Sequence, residues 1–337
     1  MMNLFLENGY VNVPMINSLP YPFVFCWGGR ATGKTYGALW EDVTTYRGKF
    51  VHMRRTQTEL DLIASSALNP FAKINEDKST NYTVQPMKNM ASVRDENGDQ
   101  IGVMLALSTC ANVRGWDASN VELISYDEFI PEYHKRSSIK NEHLALLNCY
   151  ESINRNRELQ GKTPVKLRCY ANSNDFFNPL FVGLNLITKI EKMQSAGKYT
   201  YIDSERGYML IDLGESPISQ KKAKTALYKF AGDGDFANMA IENRFKNDLF
   251  PPHPRPLREY RPIVHVGELT IYKHKSANRY YCSDHNSGNP AEYSASDTEL
   301  KMFRFAYSHL VSAYYRGAID FERTIQQVLF LRYFALL

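Results

Sequence analysis

Residues 28–35 read Gly-Gly-Arg-Ala-Thr-Gly-Lys-Thr, a complete G-x-x-x-x-G-K-[ST] loop. Each residue type has a task in holding a polyphosphate. Gly28, Gly29 and Gly33 let the backbone curl, so that N–H groups along Arg30, Ala31 and Thr32 point at phosphate oxygens. The Lys34 ammonium reaches the β- and γ-phosphates, and the Thr35 hydroxyl is a ligand for Mg²⁺. ATP with Mg²⁺ is the expected pair of ligands.

Such a loop needs two more groups, one for the metal's shell and one to activate water. Asp127-Glu128 offers both, directly after the strand-like run Val121 to Tyr126. Asp127 is expected to serve Mg²⁺, and Glu128 to polarise the attacking water. Neighbouring side chains on a strand point to opposite faces, so the pair must sit where the strand ends. Asn172 closes a further apolar run, Val165 to Ala171. It is either a γ-phosphate sensor or a turn former in Asn172-Ser173-Asn174-Asp175. Arg155 and Arg157 end a helical segment. There a cation either complements the helix dipole or reaches a neighbouring subunit's γ-phosphate. Arg114 is the only basic residue from Cys110 to Asn120.

The surrounding elements come in the order this chemistry requires. Phe23-Val24-Phe25-Cys26-Trp27 is an unbroken apolar run that fits a fully buried strand. Tyr36, Leu39, Trp40 and Val43 then recur at helical spacing. Phe50 to Met53 reads as a second buried strand, with Arg54-Arg55 and a helix from about Thr58 behind it. Tyr82 to Leu107 alternates around an Asn97-Gly98 hairpin turn. Leu144, Leu147, Tyr150 and Ile153 place a helix over 141–157. Strands alternating with helices predict an α/β fold whose mainly parallel sheet is covered on both faces. Past about Lys198 the chain turns polar, and Pro251 to Pro256 reads as a stiff connector. Strands at Ile263 to Val266, Leu269 to His274 and Arg279 to Ser283 follow, then a helical stretch from Lys301 to Leu337. The chain is thus expected to divide into residues 1–200, a linker at 201–245 and a smaller α+β domain at 246–337.

With 337 residues, 44% of them hydrophobic, the chain has material for two cores. A net charge of +4 is too small to establish nucleic-acid binding without a local patch. The five cysteines are scattered without a C-x-x-C pair, so reduced, buried thiols in a cytosolic protein are expected. Cys282 and His285 have no second ligand pair nearby, and an ordinary turn is expected there. Neither a membrane span nor a signal peptide is expected, for want of a long apolar run and a basic n-region.

The combination of motifs resembles one family. Gly28 to Thr35, Phe50 to Arg55 with Glu59-Leu60, Asp127-Glu128-Phe129-Ile130, Arg155-Asn156-Arg157-Glu158, and Cys169 to Asn172 with Asn178-Pro179 carry the likeness. They resemble the large-terminase-like packaging ATPases of tailed phages, and most of all those of small phi-twenty-nine-like podophages. The resemblance covers most of the first 180 residues. It implies a P-loop NTPase of the additional-strand, catalytic-glutamate type, acting as an ATP-driven motor that moves double-stranded DNA into a preformed procapsid. It implies a homo-oligomeric ring, a pentamer, on the portal (connector) vertex in the host cytoplasm, with a scaffold RNA as a further partner and no membrane. By the family pattern Arg155 is the preferred trans finger and Arg157 the second, while Gln57 stands near a spot where the similar member carries a basic residue; in such a motor Arg114 is expected to contact the DNA phosphate backbone.

The same resemblance implies a vestigial, non-cleaving ribonuclease-H-like C-terminal domain. Only Glu268 and Asp284 offer themselves there as metal-binding acids, and two-metal cleavage needs more. Arg244, Lys246, Arg255, Arg258, Arg261, Lys273 and Lys275 either bind DNA, portal or RNA, or form a solvated surface diluted by Glu242, Asp248 and Glu259. Three other readings stay open: a ring translocase or helicase without a capsid partner, a full terminase with an active nuclease, and a structural nucleic-acid-binding protein. The intact Lys34, Thr35, Asp127 and Glu128 argue against the last.

Overall fold

The computed structural model describes residues 2–65, 68–113, 115–132, 139–232 and 253–336. Nine strands form its larger sheet: β1 (Phe23–Gly28), β2 (Phe50–Arg54), β3 (Thr83–Met87), β4 (Met90–Arg94), β5 (Gln100–Ala106), β6 (Leu123–Asp127), β7 (Lys166–Asn172), β8 (Thr200–Asp203) and β9 (Tyr208–Asp212). Their order is β3-β4-β5-β2-β6-β7-β1-β9-β8. From β5 to β9 every pairing is parallel, and the antiparallel strands β3, β4 and β8 flank that centre. This is the mixed α/β, mainly parallel architecture that alternating strands and helices predict.

The apolar run of β1 explains its place between two parallel neighbours, β7 and β9. Val24 and Cys26 face α1 (Val13–Ser18) and pack with Ile16, Tyr170 and Met209. Phe25 and Trp27 face the other way, onto Phe129 and Phe181, in edge-on ring contacts 5.8 and 5.2 Å apart. The helix α2 (Lys34–Val43) lays Leu39 and Val43 on Phe50, Ala106 and Leu123. Leu60 of α3 (Gln57–Ile63) and Ile74 of α4 (Ala72–Lys78) close the same cluster. A capping box between Thr56 and Glu59 starts α3 and satisfies two orphan N–H groups.

The helix expected over 141–157 is α5 (Glu142–Asn154). Its buried face is Leu146, Cys149 and Ile153, whereas Leu144 and Leu147 are exposed at 48% and 44%. Two apolar stripes compete on this helix, and tertiary packing selects between them. The unit continues through α6 (Pro179–Gly183), α7 (Ile187–Ser195), α8 (Ser219–Ala223) and α9 (Ala226–Ala231). Residues 200–212 do not belong to the linker expected at 201–245. They are β8 and β9, and Tyr208–Asp212 is buried throughout beside β1. Two compact units result, Met1–Lys246 and Asn247–Leu337.

The second unit is a five-stranded sheet: β10 (Tyr260–Val266), β11 (Leu269–His274), β12 (Tyr280–Ser283), β13 (Ala291–Tyr293) and β14 (Ile319–Phe321). In the order β13-β10-β11-β12-β14, the three central strands are an antiparallel meander with a parallel strand at each edge. The helices α10 (Asp297–Ala306), α11 (His309–Tyr315) and α12 (Thr324–Tyr333) bury Phe303, Leu310 and Phe330 against Val264, Ile271 and Cys282. The continuous helical stretch expected over 301–337 is interrupted by β14. Its Ile319 and Phe321 are buried while Asp320 between them is not, which is strand periodicity inside a helical neighbourhood. Among the described residues, no helix is long and apolar enough to cross a membrane.

Candidate nucleotide site

The phosphate loop joins the carboxyl end of β1 to α2, the edge of a parallel sheet where ligands gather. Gly33 has φ +85°, and a Cβ there would meet the Tyr10 ring at 2.9 Å, so glycine is required on two grounds. Gly33 also caps α2 without any side-chain bond to its first N–H groups, which leaves those donors for an anion. Lys34 is buried (6% exposed) and folds back on its own loop. Its Nζ donates to Gly29 O at 2.7 Å, Gly28 O at 3.3 Å and Thr32 Oγ1 at 3.2 Å. These are neutral acceptors, so the buried ammonium is held poorly and burial lowers its pKa to about 8.

That value sets a pH dependence. A polyphosphate binds the ammonium form. Below about pH 8 the free protein already carries the proton, and affinity is flat. Above it the proton must be taken up on binding, so ATP affinity should fall about tenfold per pH unit until the bound-state pKa is reached. Calorimetric titration of ATP from pH 7 to 9.5 tests this; an unchanging Kd over that range contradicts it.

The second half of the site ends β6. Asp127 Oδ2 accepts from Thr35 Oγ1 at 2.9 Å, which places a carboxylate and a hydroxyl at the mouth of the loop. Hard oxygen donors of this kind suit Mg²⁺. Glu128 has φ +57°, a left-handed backbone that costs a non-glycine residue about 1–2 kcal/mol. The turn removes the strand's alternation, so that one guanidinium meets both acids. Arg54 Nη1 donates to Asp127 Oδ2 at 3.0 Å, and its Nη2 to Glu128 Oε2 at 2.5 Å. Arg54 was not among the expected site residues. Its signal is the charged end of a strand, but only the pairing of β2 with β6 shows that this end lies beside the acids.

Asn172 pairs in register with Gly28. A cleft of about 110 Å³ is lined by Arg30, Arg55, Glu59, Glu128, Asn172 and Asn174 among others. Arg30 crosses it to Glu132 at 3.1 Å and Asn174 Oδ1 at 3.4 Å. A larger groove of about 490 Å³ runs between α5 and residues 107–111 and includes no phosphate-loop residue. Size therefore does not mark the place where the polar groups converge.

The basic residues of the α5 end lie elsewhere. Arg155 Nη2 donates to Trp116 O at 2.8 Å. Arg157 donates to three backbone carbonyls, Ser119, Val121 and Thr163, each at 3.0 Å. Those residues precede β6 and β7, so both arginines sit at the amino edge of the sheet, across a strand's length from their own phosphate loop. Arg157 staples two loops, which is a structural use of its guanidinium. Arg114 lies outside the described residues, as do Arg244, Lys246, Glu242 and Asp248.

Two cysteines depart from the expected reduced state. Cys110 and Cys149 form a disulfide across 39 residues of sequence, while Cys26, Cys169 and Cys282 are buried and free. The fold brings the turn after β5 onto α5, a proximity that no sequence spacing signals. In the second unit, Glu268 lies in the β10–β11 turn and Asp284 follows β12, where it pairs with Arg323. Among the described residues no group of three or more His, Cys, Asp or Glu side chains is arranged to hold a metal ion.

A family model described as podovirus DNA encapsidation protein (Gp16) matches residues 10–251. The DNA packaging proteins of Bacillus phages phi29 and PZA are each 26% identical over 228 residues, 66% of this chain. The match spans 62% of the length of those relatives. Two solved structures share the fold. One is the phi-28 gp11 DNA packaging motor, with TM-score 0.62 and 17% identity over 98% of both chains. The other is the bacteriophage phi-29 viral genome packaging motor assembly, with TM-score 0.63 and 18% identity over 97% of this chain and 99% of that one.

Proposed function

The chain belongs to the podovirus DNA encapsidation protein (Gp16) family, and on that premise we propose that it is the ATPase of a viral DNA-packaging motor. In this reading it hydrolyses ATP to drive double-stranded DNA through the portal into a preformed procapsid. The observation that carries the reading is the meeting of Lys34, Thr35, Asp127 and Glu128 at one sheet edge, with Arg54 between the two acids.

On this reading the loop N–H groups and Lys34 hold the β- and γ-phosphates, with the Lys34 ammonium leaving its carbonyl partners for them. Thr35 and Asp127 are the residues that would hold Mg²⁺, which neutralises charge on the phosphates when bound. Glu128 polarises the attacking water, and Arg54 sets when it is free to do so. Asn172 orients the water or a γ-phosphate oxygen. Arg155 completes a neighbour's site in a homo-oligomeric ring. Its place on the far edge supports a trans role, since it cannot reach its own subunit's loop. The portal, double-stranded DNA and a scaffold RNA are the proposed partners. The proposed setting is the procapsid vertex in the host cytoplasm.

The reading is tested by ATPase rate with and without double-stranded DNA and portal-bearing procapsids. Stimulation by both supports a packaging motor. Stimulation by DNA alone would favour a translocase or helicase without a capsid partner.

The second unit is proposed to anchor rather than to cut. Residues 1–246 alone should retain weak ATPase activity and fail to package DNA. Full-length protein with Mn²⁺ or Mg²⁺ should leave plasmid DNA intact over hours. Metal-dependent nicking that vanishes on changing Glu268 or Asp284 would show an active nuclease instead.

A further inference from the structure

Beneath the nucleotide edge lies a buried polar cluster, and its Arg55 forms part of the wall of the cleft that Glu128 and Asn172 also line. Arg55 directly follows Arg54, and neighbouring residues of an extended chain point opposite ways. Arg54 turns to the two acids; Arg55 runs under the cleft floor onto the first residue of α5. Its Nε donates to Glu142 Oε1 and Oε2 at 2.9 and 3.0 Å, and its Nη2 to Oε2 at 2.6 Å. Both side chains are almost wholly buried, at 1% and 0% exposure. The same alternation repeats on β6. Asp127 faces the loop, while the Tyr126 hydroxyl donates to Glu142 Oε1 at 3.2 Å. The two strands that present Arg54 and Asp127 to the nucleotide thus both grip the start of α5 by their next-door residues.

The helix carries that grip away from the site. It has 13 residues, so it spans about 20 Å. Its other end is Arg155, which has φ +47° and rests on Trp116 O. Asn154 beside it accepts from the Val165 N–H at 2.8 Å, just before β7. One stiff element therefore joins the strand ends at the nucleotide site to the arginine on the opposite edge.

We propose that Arg55, Glu142 and Tyr126 are positioning residues for Arg155. They tie α5 to the strands that carry Arg54, Asp127 and Glu128, so that the state of a subunit's own nucleotide site sets the placement of the arginine it offers to its neighbour. The proposal rests on the trans reading of Arg155. A bidentate Arg–carboxylate pair suits this task, because its fork fixes orientation as well as distance. A misplacement of about 1 Å at a group acting on a transition state is enough to cost about 10²-fold in rate.

The test replaces the cluster as a whole, with Arg55→Met, Glu142→Leu and Tyr126→Phe in one chain. Buried ion pairs are often replaced by apolar residues of similar volume without loss of stability. ATP binding should stay within about twofold of the parent protein. Turnover by rings assembled on portal-bearing procapsids should fall by about 10²-fold. Mixed rings then decide where the defect lies. Glu128→Gln subunits have a working arginine and a dead site, so mixing them with the cluster variant should restore activity. Arg155→Ala subunits lack the arginine and should restore none. Recovery with Arg155→Ala subunits, no recovery with Glu128→Gln subunits, or unchanged turnover in the cluster variant overturns the proposal. Arg155→Ala mixed with Glu128→Gln is the control; if that mixture fails to recover, the trans reading itself is wrong and the proposal falls with it. If the triple variant does not fold, Glu142→Gln, which keeps the shape of the side chain, is judged in the same mixtures.

Discussion

Changing Glu128 to Gln is expected to leave ATP bound and to slow its hydrolysis by about 10²–10⁴-fold, the span typical of losing a general base. An amide keeps the size of the side chain but cannot draw a proton from water. The change removes the ion pair of Glu128 with Arg54 but leaves the groups expected to hold the nucleotide: Thr35 still meets Asp127 at 2.9 Å, and Arg54 keeps its 3.0 Å bond to Asp127. Binding and chemistry should therefore separate cleanly, with single-turnover hydrolysis lost and nucleotide affinity retained. Lys34→Ala should differ. It removes the ammonium buried among Gly28, Gly29 and Thr32, so affinity and turnover both fall. A Glu128→Gln protein that hydrolyses ATP at the parent rate would remove Glu128 from the catalytic role.

The loss of Arg155 should be comparable in size but different in kind. Arginine fingers supplied by a neighbour contribute about 10³–10⁵ in rate. Arg155→Ala should bind ATP normally in each subunit and hydrolyse it poorly in the ring. Mixed with Glu128→Gln subunits, it should regain activity, because each partner supplies what the other lacks. Rings shown to assemble, yet inactive at every mixing ratio, would count against a trans role. Arg157→Ala provides the contrast. Its guanidinium donates to Ser119, Val121 and Thr163 carbonyls, so its removal should lower the melting temperature and show no complementation.

The chain's own order of residues determined the phosphate-loop motif and most of the elements around it. An eight-residue motif with a buried strand before it and a helix after it needs no tertiary information, because loop, strand and helix are contiguous. The strand ending in Asp127, the strand ending in Asn172 and the meander of β10 to β12 were legible for the same reason. Each is a local periodicity bounded by turn formers.

Relations between distant segments were decided by the fold alone. Arg54 is a charged residue like many others until the pairing of β2 with β6 sets it against Asp127 and Glu128. Glu142 reads as an ordinary acid in the first turn of a helix until Arg55 closes on it, 87 residues away in sequence. The Cys110–Cys149 pair, the burial of Leu146 in place of Leu144, and the entry of β8 and β9 into the first sheet have the same origin. Each depends on which surface lies opposite, and that is settled when the strands choose their neighbours. Local spacing records what a segment can become; only the strand order β5-β2-β6-β7-β1-β9 places one basic residue beside Asp127 and Glu128 and another on the far edge of the sheet.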